Sequence, residues 1–232
     1  MRVRGHRECN DCGRQWSYYD TGRVECPNCG SLRSVGVDER TFHTATPVSL
    51  DLSSHRDAFD GGDPTDLADD LKSDLREYVR QRGFVDAGDL ADLNDAFLAA
   101  HELLQAIDVY ARARDPSDDD RLYVLSLLRG ADAGERPAPD DVPESMAAAR
   151  GLGYADAVEA YRSDAVDWLD ENPDPAGRTA LGTVSERVKR VQALEGDVSP
   201  RDAERLVTAT REIATYLREG DEAALASARD RL

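Results

Sequence analysis

The chain has 232 residues, 40% of them hydrophobic, with a formal net charge of -18. That length suits one medium domain, or a small module joined to a helical one, and the apolar share allows a core. The absence of any run of 18 apolar residues excludes a membrane-spanning helix, and the charged start, Met1–Arg7, reads against a secretory leader.

In chain order, residues 1–37 read as a small β module. Arg14–Tyr19 is expected as a strand with Trp16 and Tyr18 on one face. Asp20-Thr21-Gly22 follows as a hairpin turn, Arg23–Glu25 as the return strand and Arg33–Val37 as a third strand. Residues 38–65 keep no steady period and include the breaker cluster Asp60-Gly61-Gly62-Asp63-Pro64. They read as a linker or extended arm.

From 66 to 232 the pattern is helical and acidic. Leu67, Leu71, Leu75, Tyr78 and Val79 mark a helix stopped by Gly83. Leu90, Leu93, Phe97, Ala100, Leu104 and Ile107 predict a narrow seam on one long helix, with His101 beside it on the helix surface or boundary. Ser117 with Asp120 approximates a capping box, and residues 131–142 form a loop that could subdivide this part. Pro143 suits a first helical turn, and Val158, Tyr161 and Ala165 continue the pattern. Leu181, Val184, Val188 and Val191 make a further stripe, and Ser199-Pro200-Arg201-Asp202 caps the next helix. The short connection Glu195–Val198 makes those last two helices an antiparallel hairpin. The expected fold class is mainly α: a small N-terminal β module followed by an all-α domain of about six to seven helices.

The acidity is uneven and has a composition of its own. There are 32 Asp against 15 Glu, and two lysines, Lys72 and Lys189, against 27 arginines. This composition resembles proteins of extreme halophiles. In roughly 1 M salt the Debye length falls to about 3 Å, so self-repulsion is screened and the net charge does not exclude a nucleic-acid partner. Residues 1–36 carry six arginines and four acids, +2, so the remainder carries -20.

Cys9, Cys12, Cys26 and Cys29 carry the clearest chemistry: C-x2-C, thirteen residues, C-x2-C, using every cysteine of the chain. Two thiolates three residues apart face one metal only if the backbone turns tightly. Cys12-Gly13 and Cys29-Gly30 supply the residue that tolerates such a turn. Four thiolates form a closed tetrahedral site with no open position for water, so one structural zinc ion is expected, with iron as the alternative metal. A chain without an oxidised framework is expected in the cytoplasm, where cysteine pairs hold metal more often than they form disulfides.

Met1 through Cys9, and Cys29 through Val37, resemble haloarchaeal proteins with a transcription factor IIB-type zinc ribbon followed by a helical region. The resemblance implies zinc at Cys9, Cys12, Cys26 and Cys29. It does not imply a general transcription factor, because residues 66–232 show neither a duplicated cyclin-like repeat nor a basic surface.

Trp16 and Tyr18 could stack on bases, with Arg14 and Arg23 holding phosphates; alternatively, the aromatic residues form the ribbon's own core. Arg2, Arg4 and Arg7 could form a basic arm or a solvated strand edge. No histidine has a glutamate three residues before it, and no Ser-His-Asp, phosphate-loop or H-E-x-x-H motif occurs, so no catalytic residue is expected. The leading expectation is a non-enzymatic zinc-binding adaptor that contacts protein or nucleic acid, associated with transcription or translation, with no membrane and no small-molecule substrate. The alternative is a protein-interaction or self-association module in which the ribbon is purely structural.

Overall fold

A computed structural model describes every residue except Asp60, the first residue of the expected breaker cluster. The N-terminal region forms two small sheets. Strand β1 (Arg2–Arg4) pairs through its whole length with a strand at Arg40–Phe42, placing Arg4 directly opposite Arg40. Strand β2 (His6–Cys9) is the centre of the second sheet, flanked by β3 (Gln15–Ser17) and β4 (Ser34–Gly36), all antiparallel; Arg40–Phe42 is then β5.

The third strand thus lies where Arg33–Val37 was expected. The other two expected strands are corrected. The strand around Trp16 stops at Ser17, and Tyr18–Thr21 forms a helical turn, α1. Ser17 accepts from the Asp20 N–H and Gly22 closes the turn at φ 62°, so local capping overrides the apolar alternation. Arg23–Glu25 makes no strand, and β2 takes its place in the sheet.

The stretch 38–65 is fastened at several points. The His43 N–H donates to Met1 O at 2.8 Å, and the Thr44 and Ala45 N–H groups both donate to Val85 O. The Thr44 hydroxyl donates to Asp164 Oδ2 at 2.6 Å. Leu52 is completely buried in the main core just before α2 (Ser53–Ala58). Arg56, within α2, forks onto both carboxylate oxygens of Asp132 at 2.9 and 2.8 Å.

Helix α3 (Ala68–Gln81) leads to a hairpin, β6 (Val85–Asp86) and β7 (Asp89–Leu90). This corrects the long-helix reading at its start: Leu90 is on a strand. The turn places both Ala87 and Gly88 at positive φ, 51° and 95°, as a type I′ turn requires. Helix α4 (Asp95–Arg112) begins only after Asn94, whose side chain accepts from the Phe97 N–H at 2.8 Å. The remaining helices are α5 (Asp118–Gly130), α6 (Ala147–Trp168), α7 (Pro175–Ala193), α8 (Pro200–Glu219) and α9 (Glu222–Arg231). Seven α-helices therefore follow residue 66 among the described residues, as expected. The Ser117–Asp120 capping box and the Ser199 cap are both formed. The loop 131–142 contains short 3-10 turns, and one apolar cluster continues on both sides of it, from Leu52 to Ala228. No helix among the described residues is long and apolar enough to cross a membrane.

Helix α4 is buried nearly all round rather than along a seam, packed by α3, α5 and α6. This corrects the surface placement of His101. Its ring packs edge-on against Phe97 at 4.6 Å, and Nε2 has no hydrogen-bond partner. Burial lowers its pKa from 6.5 to about 4. The unfolded chain therefore binds a proton that the native chain refuses, and stability rises with pH through the window from about 4 to 6.5. His101→Phe is expected to remove up to about 3 kcal/mol of the acid destabilisation across that window, read by urea unfolding at a series of pH values. An unchanged pH profile would refute this assignment.

The next residue on α4 carries a charge into the same core. Glu102 and Arg150 on α6 are both fully buried. Glu102 Oε1 accepts from Arg150 Nε at 2.8 Å and Nη2 at 2.7 Å, and also from the Tyr123 hydroxyl. Arg150 Nη2 also donates to Pro137 O at 2.7 Å, while the guanidinium lies 5.5 Å from the Tyr154 ring centre. Burial alone would lower the Arg150 pKa, but the Glu102 carboxylate more than reverses this and holds it above its ordinary value. Gly153 permits the close approach of the two helices: a Cβ there would lie 2.9 Å from the Glu102 backbone nitrogen.

Candidate metal centre

The four cysteines come from two loops built alike. In the first, the Gly13 N–H donates to Cys9 O at 2.9 Å and the Cys9 N–H to Arg14 O at 2.9 Å. In the second, the Gly30 N–H donates to Cys26 O and the Cys26 N–H to Ser31 O, again at 2.9 Å each. Gly13 and Gly30 sit at φ 71° and 70°, which closes each turn and presents its two sulfurs to the same side.

All four sulfurs lie within 4.8 Å of one another. Across the loops, Cys9 Sγ stands 3.7 Å from Cys29 Sγ, and Cys12 Sγ stands 3.6 Å from Cys26 Sγ. These separations are far from a disulfide's roughly 2.05 Å. They fit a thiolate tetrahedron: ligands about 2.3 Å from a central zinc stand about 3.8 Å from each other. The donor set therefore fits a metal ion. Cys9 and Cys26 are buried, whereas Cys12 and Cys29 are exposed at the rim.

The sulfurs already differ in proton affinity. The Arg14 backbone N–H and then the Asn28 amide, 3.7 Å from the Cys12 sulfur, lower the Cys12 pKa to about 6. At Cys29 the Ser31 backbone N–H acts to lower the pKa, yet the crowding of Cys12, Cys26 and Cys9, with desolvation, raises it to about 12. Four thiols brought together without a cation resist joint ionisation. A bound divalent ion removes that resistance, since metal ligation requires thiolates.

The residues expected to make outside contacts separate. Trp16 is only 8% exposed and packs with Cys9 and Cys26 as the ribbon's buried apolar cluster, its Nε1 donating to Arg23 O at 3.1 Å. Of the two readings of Trp16, its burial favours the ribbon's own core over a stacking face, because so small a module has little else to bury. Tyr18 is half-buried on α1, not on a strand face with Trp16, and meets the buried His43 ring edge-on at 6.1 Å. Arg14 and Arg23 are exposed. Arg23 borders a depression shared with Asp20 and Glu25, so its charge is set among carboxylates. Sequence reasoning missed Arg40, which β5 brings opposite Arg4; the only available signal was the weak strand pattern of Arg40-Thr41-Phe42.

Comparison with curated proteins and with solved structures gives no match. The model of one family does match, over residues 1–232: the chain belongs to the family of unknown function DUF7117.

Proposed function

We propose that the protein is a non-enzymatic zinc-binding adaptor whose ribbon contacts protein or nucleic acid. The observation that carries this reading is the closed cysteine tetrad: four thiolates fill a tetrahedral ion and leave no open position for water or substrate. Zinc is preferred to iron because no redox partner site is evident in the attached helical domain among the described residues. The metal then serves to fold a small surface-bearing module. In this reading the ribbon is of the transcription factor IIB type, the protein works in the cytoplasm in association with transcription or translation, and its Asp-rich surface is an adaptation to high salt.

A second reading, a protein-interaction module, draws on a specific feature. Val24, Leu32, Val35 and Val37 are all exposed on the ribbon, Leu32 by 73%, in a module too small to hide them. Affinity capture from native extract at high salt, with and without nuclease, separates the two. Co-recovery of polymerase or ribosomal components with nucleic acid supports the first. A single protein partner that survives nuclease supports the second. Turnover of a substrate by the purified protein would sink both.

A further inference from the structure

The structure assigns a binding groove for the phosphate backbone of single-stranded nucleic acid to the two N-terminal sheets. The groove is lined by Arg2, Arg4, Arg7 and Arg40 with Tyr18 and Val24 beside them. This deepens the adaptor reading and rests on it, but it moves the contact away from Arg14, Trp16 and Arg23.

The groove has a volume of about 340 Å³, and no carboxylate side chain lines it. That is unusual here, because the chain has 47 acidic against 29 basic residues. Arg2 is ion-paired to Glu171 at 2.7 Å. The other three spend their bonds on neutral acceptors or on none. Arg4 donates to the Asp38 carbonyl, and Arg7 donates to the Ser34 hydroxyl and carbonyl oxygens. Arg40 makes no side-chain hydrogen bond or ion pair with any described residue.

Register adds an independent argument. Arg4 and Arg40 are directly opposite on β1 and β5, and like charges so placed destabilise a strand pair. The fold nonetheless shapes itself around this pair. A Cβ on Gly36 would lie 2.4 Å from Arg4 Cβ, so the glycine leaves the room in which the Arg4 stem lies across β4. Arg7 is held by Ser34, and Tyr18 by contact with the His43 ring. Arg4 and Arg7, held by neutral acceptors, and Arg40, with no acceptor among the described residues, present guanidinium forks that match phosphodiester oxygens, which accept such forks in pairs. Tyr18 and Val24 at the groove wall supply the aromatic and apolar contacts that bases take, and an acidic peptide would leave these unused. A duplex carries its charge at twice the linear density, close to an acidic body, so the groove favours one strand.

The test uses full-length, zinc-loaded protein and short fluorescein-labelled oligouridylate and oligodeoxythymidylate, followed by anisotropy from about 0.1 to 1 M salt. With three uncompensated arginines engaged, log K is expected to fall against log salt with a slope of about -2.1, and with about -0.7 in Arg4→Gln/Arg40→Gln. That variant should bind at least about tenfold more weakly at the lowest salt, keep its zinc and melt no lower than the parent, since it removes a repulsion. If the double variant loses zinc, Arg40→Gln alone is used, and its slope should flatten by about 0.7. Arg14→Gln/Arg23→Gln should bind as the parent does. Loss of binding in Arg14→Gln/Arg23→Gln, with Arg4→Gln/Arg40→Gln unaffected, overturns the groove and leaves the adaptor reading standing. Binding of poly-glutamate but of neither oligonucleotide, tighter binding of a duplex, or no binding at all also overturns it.

Discussion

Cys26→Ser is expected to strip the protein of its metal and unfold residues 6–37 while the helical part remains. The buried apolar cluster of the ribbon contains Cys9, Trp16 and Cys26, so the module has almost no hydrophobic core apart from its ligands. Its folding energy must then come from the ion, on the order of 10–16 kcal/mol for a structural zinc at neutral pH. Three thiolates and a serine hydroxyl forfeit most of this, because the hydroxyl does not ionise and cannot neutralise the cation. Elemental analysis should find well under one zinc per chain. Limited proteolysis should cut within the ribbon first. Helical circular dichroism should hardly change, since the ribbon contributes only the four residues of α1 to helix. Retention of stoichiometric metal by Cys26→Ser would refute the assignment of the centre, and collapse of the whole chain would show that the helices depend on it.

The second large effect lies in the helical core. Glu102→Leu leaves the Arg150 guanidinium buried with its charge unanswered, and Arg150→Met does the same to Glu102. Each single substitution should cost about 3–5 kcal/mol, a fall in Tm on the order of 10 °C for a chain of this size. The double variant should cost far less than the sum. Two charges removed together take their desolvation penalty with them, and only the Tyr123 hydroxyl and the Pro137 carbonyl lose partners. Denaturant unfolding of the four proteins forms the cycle. Additive costs would mean that the pair does not act as a pair.

What could be read in advance divides by the range of the interaction. The metal loops were legible because their signal is local: each C-x2-C-G encodes its own turn. The caps at Ser117 and Ser199 were legible for the same reason, as was the helical hairpin across Glu195–Val198. Strand β2 was not, since His6–Cys9 owes its central place to partners 7 to 11 positions away on one side and 25 to 29 on the other. The β6–β7 hairpin hid because Ala87 occupies a turn position where Asn or Asp would have announced it. His101 was placed at the helix surface or boundary, and Glu102 was passed over, because a polar residue inside an apolar helix looks like its surface until helices are known to cover every side. Arg40 became part of a groove only once β5 had paired with β1.

The β1–β5 pairing also fixes where mechanical load goes. Residues 6–37 are joined to the body through two neighbouring strands that clasp each other, with Tyr18 and Tyr19 resting on His43 just past them. Beyond the clasp, the chain is riveted to the helices at Thr44, through Val85 and Asp164. A partner tugging on the ribbon would therefore strain the clasp and rivet first. The four sulfurs lie beyond that joint, so a metal held there would keep the ribbon's shape without bearing its weight.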